Sequence, residues 1–541
     1  MKLHLPKLLR NSVLACITAV AGVATTTVGT ATFAGGVAAF ALAGQAYAAE
    51  YTDPTASFAN GDVLNLGDGQ SVNAPLTIDG ADSSITLNVT GGTVTWATSQ
   101  GENKGVSTVN VAGGATLNVT SDEQQHCVFA SKQGAEVTIN LAANARMTSN
   151  NLFGWNNAGR GEGARVVNMG AGSEWTINGG TSFYLNQTTI NLSGGTIVLG
   201  EGSNISFERR ANSINTTAEA TQMSEISGTG AIKDGNNGAN GDNGYTFNVV
   251  RGNFDYDDTN TADLKISALL GNSGERRGFQ KTGDGVMELT SDSSAYTGKL
   301  NIEAGELKIS GAGNLGSGDL RVKNEATLNL ATSATLAATI NQESGGIVKL
   351  GAGQKLGANA NLLGTVVFTD TVTLTGGTTT FDSTTTIFDL NGWTGGDTYQ
   401  LFTVEGGTLT SAKVQVAGYT GDGTWVLDST GLLTEQTSAS WSGGSALDWS
   451  VGATFDGGKA YANGMLTTFT GDQGDVTATV SGEITASELT VESGTNLILA
   501  GTGTVTAVNT ILEGDLTVKT TGNSLGGVTM SEDSSLTIDI N

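Results

Sequence analysis

Histidine, cysteine and proline are almost missing from this chain: its 541 residues include 2 His, 2 Cys and 3 Pro. Aromatic residues make up 6% and charged residues 14%. Multi-histidine metal sites are excluded at once, because such sites need several imidazoles. The scarcity of Pro, with no three-residue glycine period, excludes collagen. The 79 Gly residues, roughly twice the usual share, argue against a helical protein, since Gly costs about 1 kcal/mol in a helix interior. Threonine, also abundant, is β-branched and prefers strands. With 38% hydrophobic residues, the chain is too apolar for a wholly disordered polymer. The expectation is an all-β body.

Residues 1–48 read as a signal peptide. Lys2, Lys7 and Arg10 form a basic start, and an uncharged Ala/Val/Gly-rich stretch follows. Ala46-Tyr47-Ala48 then supplies a small-x-small cleavage site. Later stretches fall short of 18 consecutive apolar residues, so the mature chain is expected to have no transmembrane helix. Removing the three basic residues of the leader from the 25 Lys and Arg leaves 22 against 51 Asp and Glu, a net charge of −29. So acidic a surface repels phosphate backbones, which excludes nucleic acid as a partner. Only Cys127 survives cleavage, and a lone cysteine makes no internal disulfide. Stability has to come from sheet and packing.

One string recurs between residues 63 and 200: apolar, Asn, apolar, then a Gly or Ala turn and a second alternating strand. Its copies centre on Asn65, Asn88, Asn110, Asn140, Asn168 and Asn191. A period of 20 to 30 residues with Gly corners points to a solenoid. The expected fold is a right-handed parallel β-helix, in which equivalent residues of successive coils lie about 4.8 Å apart. Stacked Asn amides can then bond along the axis, since each carries both donors and acceptors. Alternation alone would also turn each Asn to solvent between two inward apolar neighbours. An antiparallel sandwich or barrel is the structural alternative, but it gives no reason for an in-phase string. At roughly 25 residues per coil, the chain would make on the order of 20 coils and a rod of about 95 Å.

Residues 49–277 are thus expected to be β-helix coils carrying an acidic loop insertion, with Asp234–Asp242 and Asp255–Asp258 as solvated loops. Alternating Asp and Asn oxygens suit calcium, but both the loop-closing Glu of a helix-loop-helix site and the nonapeptide repeat of β-rolls are missing. No cofactor is expected.

From Gly278 the chain reads Gly-Phe-Gln-Lys281-Thr-Gly283-Asp-Gly285-Val-Met-Glu-Leu289-Thr, then Tyr296-Thr-Gly298-Lys-Leu-Asn-Ile-Glu-Ala-Gly305-Glu-Leu-Lys-Ile. This stretch resembles the autotransporter-associated β-strand repeat, with an apolar residue, Lys-x-Gly-x-Gly, alternating strand residues, Tyr-Thr-Gly and a Gly corner. The loop departs from the usual form at Asp292 and Ser294. The repeat is placed at 278–345. An aromatic-richer β junction or cap is expected at 346–440, around Phe388, Trp393, Tyr399 and Trp425. A second, incomplete β-helical array is expected at 441–541, opened by Trp441-Ser-Gly-Gly and Trp449.

The resemblance implies a Gram-negative-type exported passenger, at the cell surface or outer membrane or secreted. Its partners would be an outer-membrane translocator barrel, which this sequence does not contain, and surface glycans or proteins of a host or neighbouring cell. The chemistry on offer is thin. His126 and Cys127 are sequence neighbours, which a strand turns to opposite faces, and no Gly-x-Ser-x-Gly elbow accompanies them. Arg209-Arg210 and Arg276-Arg277 lie in loop-like stretches. The expectation is a non-enzymatic scaffold or adhesin. The alternative from another class is a carbohydrate-active β-helix enzyme, which needs a carboxylate pair beside Arg or Lys in a groove. Trp96, Trp175, Trp393 and Trp425 sit in alternating patterns and read as core.

Overall fold

The computed structural model describes residues 50–51, 61–72, 85–98, 106–121, 137–150, 164–179, 182–185, 188–207, 212–234, 245–272, 278–351, 353–390, 398–420, 423–470 and 474–539. Residues 1–48, expected to be a signal peptide, His126, Cys127, Arg209, Arg210, Arg276, Arg277, Trp393 and all but Asp234 of the Asp234–Asp242 loop lie outside the described residues.

The chain is a parallel β-helix. One sheet holds sixteen parallel strands stacked in chain order, from Glu50–Tyr51 and Val63–Leu66 to Thr378–Phe381 and Thr408–Leu409. Spaced at about 4.8 Å, such a stack is about 70 Å long. A second face runs alongside it, from Ser71–Val72 through Glu174–Ile177 and Val286–Leu289 to Ile387–Leu390 and Ala412–Val416. From Ser182–Leu185 onward short strands such as Asn204–Phe207, Asn314–Leu315 and Val372–Leu374 add a third side.

Alternation within each short strand explains the shape. In Val63–Leu66, Leu64 and Leu66 are buried and the residues between them are half-exposed. The same order repeats in Arg165–Met169 and Thr188–Leu192. Apolar residues of one coil therefore meet their register partners in the next, and a single core runs from Leu64 to Leu433. Trp96, Trp175 and Trp425 are buried in it. Leu300, Leu320, Ile340 and Ala360 are successive register partners spaced twenty residues apart, so the coil shortens here from the longer periods of the first six asparagines.

Between 200 and 277 the strands stay in register, although the sequence pattern loosens there. Ser213–Thr216 pairs with Thr188–Leu192 and Tyr245–Asn248 pairs with Ser213–Thr216, both parallel. The irregularity lies in corner length, at residues 249–263. The boundary expected at 346 has no counterpart in the pairing, because parallel stacking continues through Ile347–Leu350, Thr365–Phe368 and Ile387–Leu390. Among the described residues antiparallel strand pairing starts only beyond 397. Ala412–Val416, Thr424–Leu427, Leu432–Gln436 and Thr398–Gln400 form a meander whose first strand still pairs parallel with Ile387–Leu390. Its residues Leu427 and Leu433 close the core.

One residue separates Leu432–Gln436 from Ser438–Trp441, where a second, two-faced parallel stack begins with its own core from Ala439 to Val518. It opens on an aromatic plug. Trp449 packs against Tyr461 and Phe469 at ring distances of 5.5 and 5.4 Å. Among the described residues no helix is long and apolar enough to cross a membrane.

Candidate functional site

The outward face of the sixteen-stranded sheet carries a column of asparagines. Asn65, Asn88, Asn110, Asn140, Asn168 and Asn191 are register partners from coil to coil. Each Nδ2 donates to the Oδ1 of the preceding asparagine, with Asn88 to Asn65 at 2.8 Å and Asn110 to Asn88 at 2.9 Å. Asn140, Asn168 and Asn191 continue the series at 2.9, 2.8 and 2.8 Å. Every bond runs in the same sense, so the amide dipoles line up along the axis and reinforce one another. The side chains nevertheless lie between inward apolar neighbours, so the column faces outward and is bonded at the same time.

The column is longer than the recurring string suggested. Asn215 donates to Asn191 at 2.9 Å, but its sequence context is Ile-Asn-Thr rather than apolar-Asn-apolar. Asn248 is its register partner, within Phe-Asn-Val, which carries the string in full. Its Oδ1 accepts instead from the Thr282 hydroxyl at 3.1 Å.

A second polar centre lies at the corner after Phe279–Thr282. Lys281 occupies an inward position between Phe247 and Ile302, its register partners, and is 0% exposed. Its ammonium has three donors, and three carbonyl oxygens take them: Thr282 at 3.2 Å, Gly283 at 2.6 Å and Ala304 at 2.8 Å. Burial lowers its pKa to about 8, against the opposing pull of the Asp263, Asp284 and Glu306 carboxylates. Gly283 and Gly305 bend the chain around it at φ +75° and +65°. A Cβ on Gly305 would lie 2.6 Å from Lys281 Nζ, and one on Gly285 would lie 2.6 Å from Asp263 Oδ2.

Asp263 holds the neighbouring corner together. It is 2% exposed, and its Oδ1 accepts from the Gly252 amide at 2.8 Å and from Arg251 at 3.2 Å. Its Oδ2 accepts from Tyr256 Oη at 2.6 Å and the Val286 amide at 2.8 Å. The Arg251 guanidinium lies 3.7 Å from the centre of the Tyr256 ring. Burial and the bonded Asp263 carboxylate push the Tyr256 phenol well up.

The other motif residues have equally local reasons. Leu289 is core. Buried Tyr296 donates to the Lys299 carbonyl at 2.8 Å, and Gly298 leaves space for its ring, since a Cβ there would lie 2.6 Å from Tyr296 Cζ. Three coils beyond Lys281, and in the same inward column, stands Gln342. Its Nε2 donates to the carbonyls of Gly346 at 2.8 Å and Thr365 at 2.9 Å. A neutral amide does there what the ammonium does at Lys281. No motif marked Gln342, and only its inward place in the alternation could have pointed to it.

On the second face Glu288 is 4% exposed. It accepts from Thr261, from Ser310 at 2.6 Å and from Lys308 at 2.9 Å. Burial works to raise its pKa, but those donors outweigh it and hold it below the ordinary value. The buried carboxylates are therefore committed to structural donors, which suits corner locks better than proton transfer. Among the described residues no group of three His, Cys, Asp or Glu is placed to hold a metal ion.

No family model, curated protein or solved structure matches the chain. The asparagine column and the Lys281 corner are the features on which a functional reading rests.

Proposed function

We propose that this protein is a non-enzymatic, exported β-solenoid that works as a stiff scaffold, adhesin-like or structural, at a bacterial cell surface or after secretion. The observation that carries the reading is the uninterrupted parallel stack of sixteen strands with its bonded Asn65–Asn215 column. Polar groups hold coil to coil, and the product is reach. The basic start and Ala46-Tyr47-Ala48 support export. The likeness of residues 278–309 to the autotransporter-associated repeat supports passenger-type display, with an outer-membrane translocator barrel as the carrying partner. Glycans or proteins of a host or neighbouring cell would be the targets.

Binding of the purified chain to immobilised mucin and to epithelial cells, compared with a scrambled-loop variant of equal stability, tests the adhesive half. The intact chain should bind measurably more. Equal binding would reduce the reading to a structural scaffold. N-terminal sequencing of the exported protein should begin at Ala49, and retention of the leader would remove the export half.

A further inference from the structure

Two Asn-Gly pairs have both residues within the described structure, Asn178-Gly179 and Asn463-Gly464, and the fold treats them in opposite ways. Asn463 is tied to the adjacent strand Glu483–Val491. Its Oδ1 accepts from the Thr485 amide at 2.8 Å and its Nδ2 donates to the Glu483 carbonyl at 3.4 Å. The Gly464 amide donates to the Thr485 carbonyl at 2.7 Å. Amide nitrogen and side-chain carbonyl are both anchored to that strand, so neither can swing toward the other.

Asn178 ends the strand Glu174–Ile177 and is exposed. Its backbone amide donates to Ser149 at 2.8 Å, but its side chain and the Gly179 amide have no hydrogen-bond partner among the described residues. Gly179 adopts φ +103°, outside the range most side chains accept. The next coil offers Gly200 beneath the Asn178 amide, where a Cβ would lie 2.5 Å from Oδ1. Among the described residues no hydrogen bond restrains rotation of Asn178 into the conformation in which the following nitrogen faces its Cγ, the condition for a fast intramolecular step.

We infer that Asn178 is a site of spontaneous, conformation-controlled deamidation, and that Asn463 is the same dipeptide held inert by the fold. The Gly179 nitrogen, losing its proton, attacks Asn178 Cγ. A new C–N bond forms, the Cγ–Nδ2 bond breaks, and Nδ2 leaves as ammonia. Water then opens the resulting cyclic imide at either carbonyl, to give aspartate or isoaspartate, with no oxidant or reductant involved. Either product places a carboxylate over Gly200 in an already acidic chain. Isoaspartate also adds a methylene to the backbone next to Ile177, whose carbonyl accepts from the Gly200 amide at 2.8 Å.

Peptide mapping by mass spectrometry tests this on the full chain, incubated folded and in denaturant at mildly alkaline pH. Both sites should convert at similar rates when unfolded. In the folded protein Asn178 should keep converting while Asn463 slows on the order of tenfold or more. Equal folded-state rates at the two sites, or an Asn178 as protected as Asn463, would overturn the inference. Asn178→Ser should abolish the modified peptide and leave the Asn463 peptide unchanged.

Discussion

Lys281 Nζ lies 2.6 Å from the carbonyl oxygen of Gly283, two residues further along the same chain, and 2.8 Å from that of Ala304 in the next coil. One buried ammonium thereby closes a corner and joins it to its successor. Removing it takes the donor from the Gly283 and Ala304 carbonyls in a buried site, while the Thr282 carbonyl keeps the Val249 amide at 2.9 Å. Lys281→Met should lower the stability of the first stack by about 3 kcal/mol. Lys281→Gln, which copies the role of Gln342, should recover part of that loss. Urea unfolding followed by tryptophan fluorescence checks the order, and a Lys281→Met protein as stable as the parent would remove the lock from the account.

The same residue gives the protein an unusual alkaline response. Its pKa falls from the ordinary 10.5 to about 8 in the folded state. Between those values the unfolded chain binds a proton that the folded chain has released, so stability from this group rises with pH from 8 toward 10.5. The full window corresponds to about 3 kcal/mol. The buried Tyr296 phenol is pushed well above its ordinary value and acts in the opposite direction above pH 10, so the comparison belongs at pH 8 to 10. The difference in urea midpoint between the parent and Lys281→Met should widen across that range. A constant difference would show that the lysine does not titrate there.

Within the asparagine column, position should set the cost. Asn140 is 2% exposed and makes two ladder bonds, to Asn110 and from Asn168. Asn215 makes one, to Asn191. Asn140→Ala should cost about 2 kcal/mol and Asn215→Ala about 1 kcal/mol. Asn140→Asp should cost more than either, because a carboxylate cannot donate to Asn110 and is itself buried. Three variants with equal melting curves would reduce the column to a solvent-facing ornament of the alternation.

Gly305 tests the corner from the backbone side. At φ +65°, with a Cβ destined to lie 2.6 Å from the carbonyls of Gly283 and Gly285, Gly305→Ala combines strain with a clash against groups that cannot retreat. A loss of at least about 2 kcal/mol is expected. Gly311, at φ +60° with open space around its missing Cβ, should tolerate alanine better. Thermal melts of the pair would separate clash from dihedral strain.

Reading the sequence reached the parallel stack because Asn65 to Asn191 recur in phase within one string, and phase is what parallel coils impose. It stopped at Asn215 because Thr216 replaces the second apolar residue, and at Asn248 because that residue lies 33 positions after Asn215, beyond the period of the earlier copies, although the two remain register partners. Lys281 was legible only as part of the Lys-x-Gly-x-Gly string; its inward place and the three carbonyls that make a buried lysine tolerable are seen in the folded chain. The aromatic residues after 346 suggested a new module. Phe368 and Phe388 instead pack against each other at 5.1 Å within the continuing stack, and the change of pairing comes only with the meander that holds Tyr399 and Trp425.

The twenty-residue spacing of Leu300, Leu320, Ile340 and Ala360 sets a unit of mechanical give. A load applied through the chain ends would meet coils joined to their neighbours by separate rows of bonds, so the filament would yield by peeling one turn at a time. Each turn released would add about 70 Å of extended chain while its neighbours kept their shape, so under load the stack would lengthen in steps of one coil.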